Sequence, residues 1–375
     1  IKISMSYYIF SVVFMSNNGV LRDISRFSFF LLIPIFFFKK IKISKNIILV
    51  FLPFISFLIL NNFWAVDKNY SIYRSIGIGY YLIGALIFYF LISNKVISKK
   101  FLISLLFISI SIVFFSGFIE FFILNNFVRA TGSIVDNANT FALNIIFISI
   151  ILNEVTKNKK IHFLTHIYII FSFIISGSRK SLIAISIYYI YIFIKNYSKN
   201  VSIKKIMFSL LMFLLFIIFV LYNYNILFDF IMNIESVSRF QDIIKGNYDF
   251  SYIARKNMIE IGLEKIKESV FFGYGNDNFR IYSYFNMYSH NNYIELLFSG
   301  GIFAIFSYYI IYIYILIKGM KVKPVRLYTI MFISLMMILE TAYVAYHTPL
   351  IWFILLLLIY MLNEEKEHYK SNISP

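Results

Sequence analysis

Ile206-Met207-Phe208-Ser209-Leu210-Leu211-Met212-Phe213-Leu214-Leu215-Phe216-Ile217-Ile218-Phe219-Val220-Leu221 is apolar at every position but Ser209. A strand of an outer-membrane barrel alternates apolar and polar residues. This stretch does not alternate. It is oily all round, as a helix in lipid must be, because there the backbone has to satisfy its own hydrogen bonds. Similar runs recur near 5–21, 24–38, 47–63, 71–92, 101–124, 139–153, 161–177, 180–195, 290–317, 325–345 and 347–362. A spanning helix needs about 20 mostly apolar residues. The pattern predicts an all-α polytopic membrane protein of about 12 transmembrane helices. The count falls to 11 if the first two runs, interrupted by Arg22, Asp23 and Arg26, form one span.

The composition of the 375-residue chain agrees. It is 60% hydrophobic and only 14% charged, with mean hydropathy +0.78, more apolar surface than a soluble globule can hide. There is no cysteine, which excludes disulfides, thiolate metal sites and Cys nucleophiles. The first apolar run lacks a small-residue cleavage pattern after it, so no removable signal is expected. The net charge of +17 is spread over loops rather than one soluble face, which argues against nucleic acid as a partner.

That charge is sorted. Loops with Lys39, Lys40, Lys42 and Lys45, with Lys95, Lys99 and Lys100, with Lys157, Lys159 and Lys160, with Lys195, Lys199, Lys204 and Lys205, and with Lys318, Lys321, Lys323 and Arg326 alternate with Lys-poor ones. The positive-inside rule places the Lys-rich side and both termini in the cytoplasm. Of 26 Lys, 20 then lie inside. Of nine Arg, eight lie outside: Arg22, Arg26, Arg74, Arg129, Arg179, Arg239, Arg255 and Arg280. Lys suffices for topology, whereas the planar Arg fork grips phosphate bidentately. An outward Arg set suggests an anionic ligand; the plain alternative is pairing with lipid phosphates or loop acids.

The chain reads as a single membrane domain, 1–375, broken by one large extracytoplasmic loop, 224–289, between the ninth and tenth expected spans. Within it, 253–270 has Ile259, Leu263, Ile266 and Val270 on one helical face. A long structured loop in a compact protein is usually functional. No internal repeat of the inverted-repeat transporter kind is evident.

Several residues could carry chemistry. Arg179 lies in Ser176-Gly177-Ser178-Arg179, a tight break between two apolar runs, where an unpartnered charge is costly. Arg255 opens the amphipathic stretch. Arg129 precedes Asp136-Asn137-Ala138-Asn139. His290 stands where the loop re-enters the membrane, in Ser289-His290-Asn291-Asn292-Tyr293-Ile294-Glu295, and a histidine is a suitable general base at neutral pH; a helix cap is the plainer role. Gly273-Tyr274-Gly275 reads as a turn presenting backbone amides or as an ordinary loop. His347 is a secondary candidate. His162 and His166, at i and i+4, could hold a metal but lack a third ligand, which favours interfacial anchoring. Glu120 and Glu340 lie inside apolar runs, as functional groups or as ion-pair partners of outer Arg. Asp136 and Asp277 stand isolated, and no outer loop carries paired acids, so no metal or other cofactor is expected.

In order, Trp64-Ala65-Val66-Asp67 with Ser71, Arg129 through Asn139, Ser176-Gly177-Ser178-Arg179, Arg255 with Gly273-Tyr274-Gly275, and His290-Asn291 with Glu295 and Gly300 resemble the O-antigen ligase and polymerase superfamily, over most of 47–362. The resemblance implies glycosyl transfer at the outer face of the cytoplasmic membrane, from an undecaprenyl-diphosphate-linked glycan to a lipid-linked glycan acceptor. By motif, His290 would be the catalytic base. Arg179, Arg255, Arg129, Asn291 and Glu295 would bind substrate, the Arg side chains replacing a metal at the diphosphate. A repeat-unit polymerase is the first expectation, an O-antigen ligase the second, and a lipid-linked oligosaccharide flippase the alternative from another class. Membrane lipids and a chain-length regulator are the further partners implied.

Overall fold

The computed structural model describes residues 2–13, 30, 32–39, 41–124, 135, 137–197, 250–283 and 286–371. The quoted run 206–221 lies outside them, as do Arg22, Arg26, Arg129, Asp136, Arg239 and residues 224–249. The described residues are helical, with no strand among them. The helices are α1 (Lys2–Val13), α2 (Ile33–Phe38), α3 (Lys45–Leu60), α4 (Lys68–Ser93), α5 (Lys99–Ile119), α6 (Ala138–Val155), α7 (Lys159–Ser176), α8 (Arg179–Tyr197), α9 (Phe250–Ile266), α10 (Phe279–Tyr282), α11 (Asn292–Met320), α12 (Arg326–Leu339) and α13 (Pro349–Ser371). Five stretches are long and apolar enough to cross a membrane: Lys45–Phe63, Lys68–Ser93, Lys99–Leu124, Ala138–Val155 and Asn292–Met320. These are the spans among the described residues, and they do not establish the expected count of about 12.

The chain forms two compact units, Ile1–Ser109 with Asp249–Pro375, and Ile110–Tyr248. In the first, α13 packs along α4 and α11 along α3. Aromatic rings fill the seam. Phe54 meets Trp352 at 4.8 Å between centroids, and the Trp352 indole donates to the Tyr346 carbonyl at 3.0 Å. Lysines gather at one end of this unit. Lys99 pairs with Glu364 at 2.7 Å, and Lys95 and Lys366 line the same cleft as Glu364. Arg74 and Arg280 lie toward the other end of α4, whose length is about 39 Å. Side chains such as Leu49, Leu52, Phe306 and Ile313 project from the spans unburied, as a lipid-facing surface requires.

In the second unit α6 is buried along most of its length against α7 and α8. Gly117 lies so close to the Phe141 ring that a Cβ there would overlap it. Polar links cross the helices: Asn153 donates to Tyr188 at 2.8 Å and accepts from Thr165 at 2.6 Å. His162 and His166 do not share a metal. His162 Nε2 meets the Thr156 carbonyl at 2.7 Å, and His166 Nδ1 meets the Tyr189 hydroxyl at 3.2 Å.

Two sequence expectations are corrected in the loop. The helix there is α9, Phe250–Ile266, and 267–270 is turn. Its buried face is Ala254, Met258, Gly262 and Ile266, with Ile259 packed against the same core, so Ile259 and Ile266 stand as expected while Leu263 and Val270 are exposed. The reason is close approach: Gly262 lies against Ile294 of α11, and an ordinary side chain there would collide. A pattern built on large apolar residues overlooks the small positions, Ala254 and Gly262, that set where the helix turns inward.

Candidate functional site

In the first unit the site is built where α4, the 270–283 loop, the start of α11 and the 340–348 turn meet. Asn291 is the N-cap of α11, accepting from the N–H groups of Tyr293 and Ile294 at 2.9 and 3.1 Å, and its amide donates to the Thr341 carbonyl at 3.0 Å. Both ends of that amide are engaged within the fold. Glu295 is fully buried, and its Oε2 accepts the Ser289 N–H at 2.7 Å. Asn291 and Glu295, candidate substrate contacts by sequence, are thus positioned as supports of the loop. Between Ser289 and Asn291 stands His290, left-handed at φ 56°, partly exposed, with the Tyr288 ring 4.4 Å from its own. A non-glycine residue held there marks a loop over-determined by its surroundings.

Behind His290 lies a cluster that local reading missed. Asp277 is not isolated: Arg74 Nε stands 2.6 Å from its Oδ2, and Arg74 Nη2 is 3.3 Å from His347 Nδ1. One ligand atom each of Asp277, Glu295 and His347 lies within 4.8 Å of the others. Such a trio has the donor types of a metal site, and Glu295 Oε1 and His347 Nε2 are buried without a hydrogen-bond partner. Arg74 argues against that use. It supplies the local cation, and an Arg donating to Nδ1 leaves neutral His347 with its proton on Nε2, where it cannot ligate. Burial pushes the Asp277 carboxyl up, opposed by Arg74 and the Tyr70 hydroxyl. Burial and the Arg74 charge push His347 well below the usual imidazole range. The Tyr288 phenol is raised by burial, an effect that the charge of Arg255 opposes; Arg255 therefore belongs to this neighbourhood.

The Gly-x-Gly loop is a clamp. The amides of Tyr274 and Gly275 donate to the carbonyls of Phe298 and Ser299 at 2.8 and 2.9 Å, where α11 breaks at Gly300 and Gly301. Asn276 N–H donates to Asn61 Oδ1 at 2.8 Å, and Asp277 N–H to Ser299 Oγ at 3.3 Å. Those amides are consumed inside the fold rather than presented to a ligand. Gly273, at φ +64°, has no room for a Cβ, which would stand 2.6 Å from Gly300 N. The Trp64–Asp67 segment is tied to the same loop. Trp64 donates to the Phe272 carbonyl at 2.6 Å, Val66 N–H to the Tyr274 carbonyl at 3.0 Å, and Arg280 to Asp67 at 2.5 Å. The Arg280 guanidinium stacks on Tyr70 at 3.5 Å.

Glu340 is satisfied without an Arg. Its oxygens accept from Tyr308, Tyr309 and Tyr312 at 3.0, 2.6 and 2.5 Å. Its backbone carbonyl accepts the Asn292 N–H at 2.8 Å, which ties the end of α12 to the start of α11, while the carboxylate is held by the three tyrosines of α11.

In the second unit Gly177, left-handed, ends α7, and Ser178 precedes α8, whose first residue is half-buried Arg179. Ser178 donates to Asn139 Oδ1 at 2.8 Å. The Asn-rich segment and the Ser-Arg break are thus neighbours. Arg129 lies outside the described residues. Glu120 is buried at the start of a π-helical turn ending α5.

The Ser-Arg break, α9, the glycine clamp and the His290 turn fall within one comparison. Residues 164–309 match the O-antigen ligase family model. That match supports the O-antigen ligase and polymerase superfamily, and with it an integral membrane protein acting on lipid-linked glycans. No curated protein matches the chain. The matched segment carries Arg179, Arg255, His290, Asn291 and Glu295; Arg74 and His347 lie outside it.

Proposed function

We propose that the protein polymerises undecaprenyl-diphosphate-linked oligosaccharide repeat units into O-antigen or capsular polysaccharide at the outer face of the cytoplasmic membrane. The observation that carries the reading is His290: partly exposed, held left-handed between a buried serine and a helix cap, with Arg255 in its neighbourhood, inside the family-matched segment. His290 takes the proton of an acceptor sugar hydroxyl as its oxygen attacks the anomeric carbon. The bond from that carbon to the diphosphate oxygen breaks, and polyprenyl diphosphate departs with its electron pair. Single displacement inverts the anomeric centre. Arg255 stabilises the departing charge. Arg179 and Arg129 are assigned to the anionic donor by motif alone. No metal is required, because the guanidinium groups supply the positive charge. The positive-inside pattern supports cytoplasmic termini.

The family model is described as an O-antigen ligase, which favours a second reading: transfer of a finished glycan to lipid A-core. A deletion strain separates the two. Single repeat units on the outer-membrane lipid mean a polymerase; full chains left on the undecaprenyl carrier mean a ligase. The test of the shared chemistry is His290→Asn. Asparagine tolerates the left-handed conformation and removes the base. Glycan transfer is lost while membrane level and Tm stay at wild type; retained transfer overturns the base assignment.

A further inference from the structure

Between α3 and α4 lies a cavity of about 720 Å³. Ile55, Leu58, Ile72, Ile76 and Ile83 wall it. The groove is open over Gly79, where a Cβ would meet only Leu58 Cδ1 at 3.9 Å. From Lys68 to Ile83 the groove follows about 24 Å of helix, most of the roughly 30 Å hydrocarbon thickness of a bilayer. Both helices are candidate spans, so hydrocarbon rather than water is the natural occupant.

One end differs. Asn62, Lys68 and Ser75 also line the cavity, and the Lys68 side chain is exposed. Asn62 Oδ1 accepts from Ser71 and Ser75 at 2.7 and 3.3 Å, and Ser75 accepts from Asn276 at 3.2 Å. Asn276 precedes Asp277, the partner of Arg74. The polar end of the groove is therefore hydrogen-bonded into the site, while its apolar length runs along the spans.

We infer that this groove holds the isoprenoid tail of the polyprenyl diphosphate donor, with Lys68 meeting the anionic head at the polar end. The assignment rests on the glycosyl-transfer reading above. Continuity with the site favours the substrate's own tail over a bulk phospholipid chain. A bulk lipid needs only exposed apolar side chains, such as Phe306 and Ile313 of α11.

The experiment uses the full chain in nanodiscs of phosphatidylethanolamine and phosphatidylglycerol, with a polyprenyl diphosphate carrying a benzophenone near the tail end. Photolabel is expected within 55–83. Unlabelled undecaprenyl diphosphate should compete, and added phosphatidylglycerol should not. Gly79→Phe fills the groove and should cut labelling about tenfold, about 1.4 kcal/mol of binding. Gly79→Ala should label as wild type and report a sound fold. Labelling elsewhere, equal competition by phosphatidylglycerol, or full labelling of folded Gly79→Phe overturns the assignment. Labelling is read without turnover: a chain that labels in the groove but transfers no sugar overturns the reaction and leaves the tail site standing.

Discussion

Glu295 Oε2 accepts the backbone N–H of Ser289 at 2.7 Å, so the first turn of α11 holds in place the residue that precedes His290. The carboxylate reaches back over its own helix start, next to the Asn291 cap. Two local devices thus fix one loop, and the histidine between them has little backbone freedom.

Removing that reach-back tests the support role. Glu295→Ala leaves the buried Ser289 N–H unsatisfied and should cost about 1–3 kcal/mol, read as a lower Tm in detergent together with slower glycan transfer. Glu295→Gln keeps an acceptor for Ser289 and should recover most of both. Equal loss in the two variants would assign Glu295 to the chemistry instead.

The glycine clamp makes a purely structural prediction. Gly273→Ala places a methyl group against the Phe298–Gly300 backbone at a φ of +64°. Neither side can move cheaply, because the 270–275 loop and the break in α11 exchange hydrogen bonds. The variant should lose more than about 2 kcal/mol and fall in membrane abundance. Normal abundance and Tm would refute the clamp.

His347 sets a pH dependence. Its folded pKa lies below the unfolded value, so between the two the unfolded chain binds more protons. The folded state is then stabilised above the ordinary imidazole range, near pH 6.5, and loses that stability as pH falls below it. The wild-type Tm should drop on acidification through this window. His347→Asn should flatten the drop, measured by a Tm series across pH; an unchanged acid limb would contradict the assignment.

Arg179→Lys separates charge from geometry. An ammonium keeps the charge but cannot grip a diphosphate bidentately. Transfer should fall about tenfold or more, with binding of the lipid-linked donor weakened. Near-normal transfer would remove Arg179 from the donor grip.

The helical, membrane-embedded character was legible from the sequence. So were the positions of most described helices, because a backbone in lipid must close its hydrogen bonds within an apolar run and such runs are local. The tight break at Gly177 and the turn at His290 were legible too, since caps are local chemistry. Arg74, Asp277, Glu295 and His347 were not legible as one cluster: they come from four separate stretches and meet only when α4, α11 and the 340–348 turn pack. The buried face of α9 depended on Gly262 passing close to Ile294. The amides of the 273–275 loop were spoken for by a helix break more than 20 residues away. Glu340 found three tyrosines where an arginine was one expectation. The sequence by itself determined that the chain lies in a membrane and which short segments bend. The tertiary structure decided which polar groups are spent on the fold, because long-range packing, not periodicity, sets those partners.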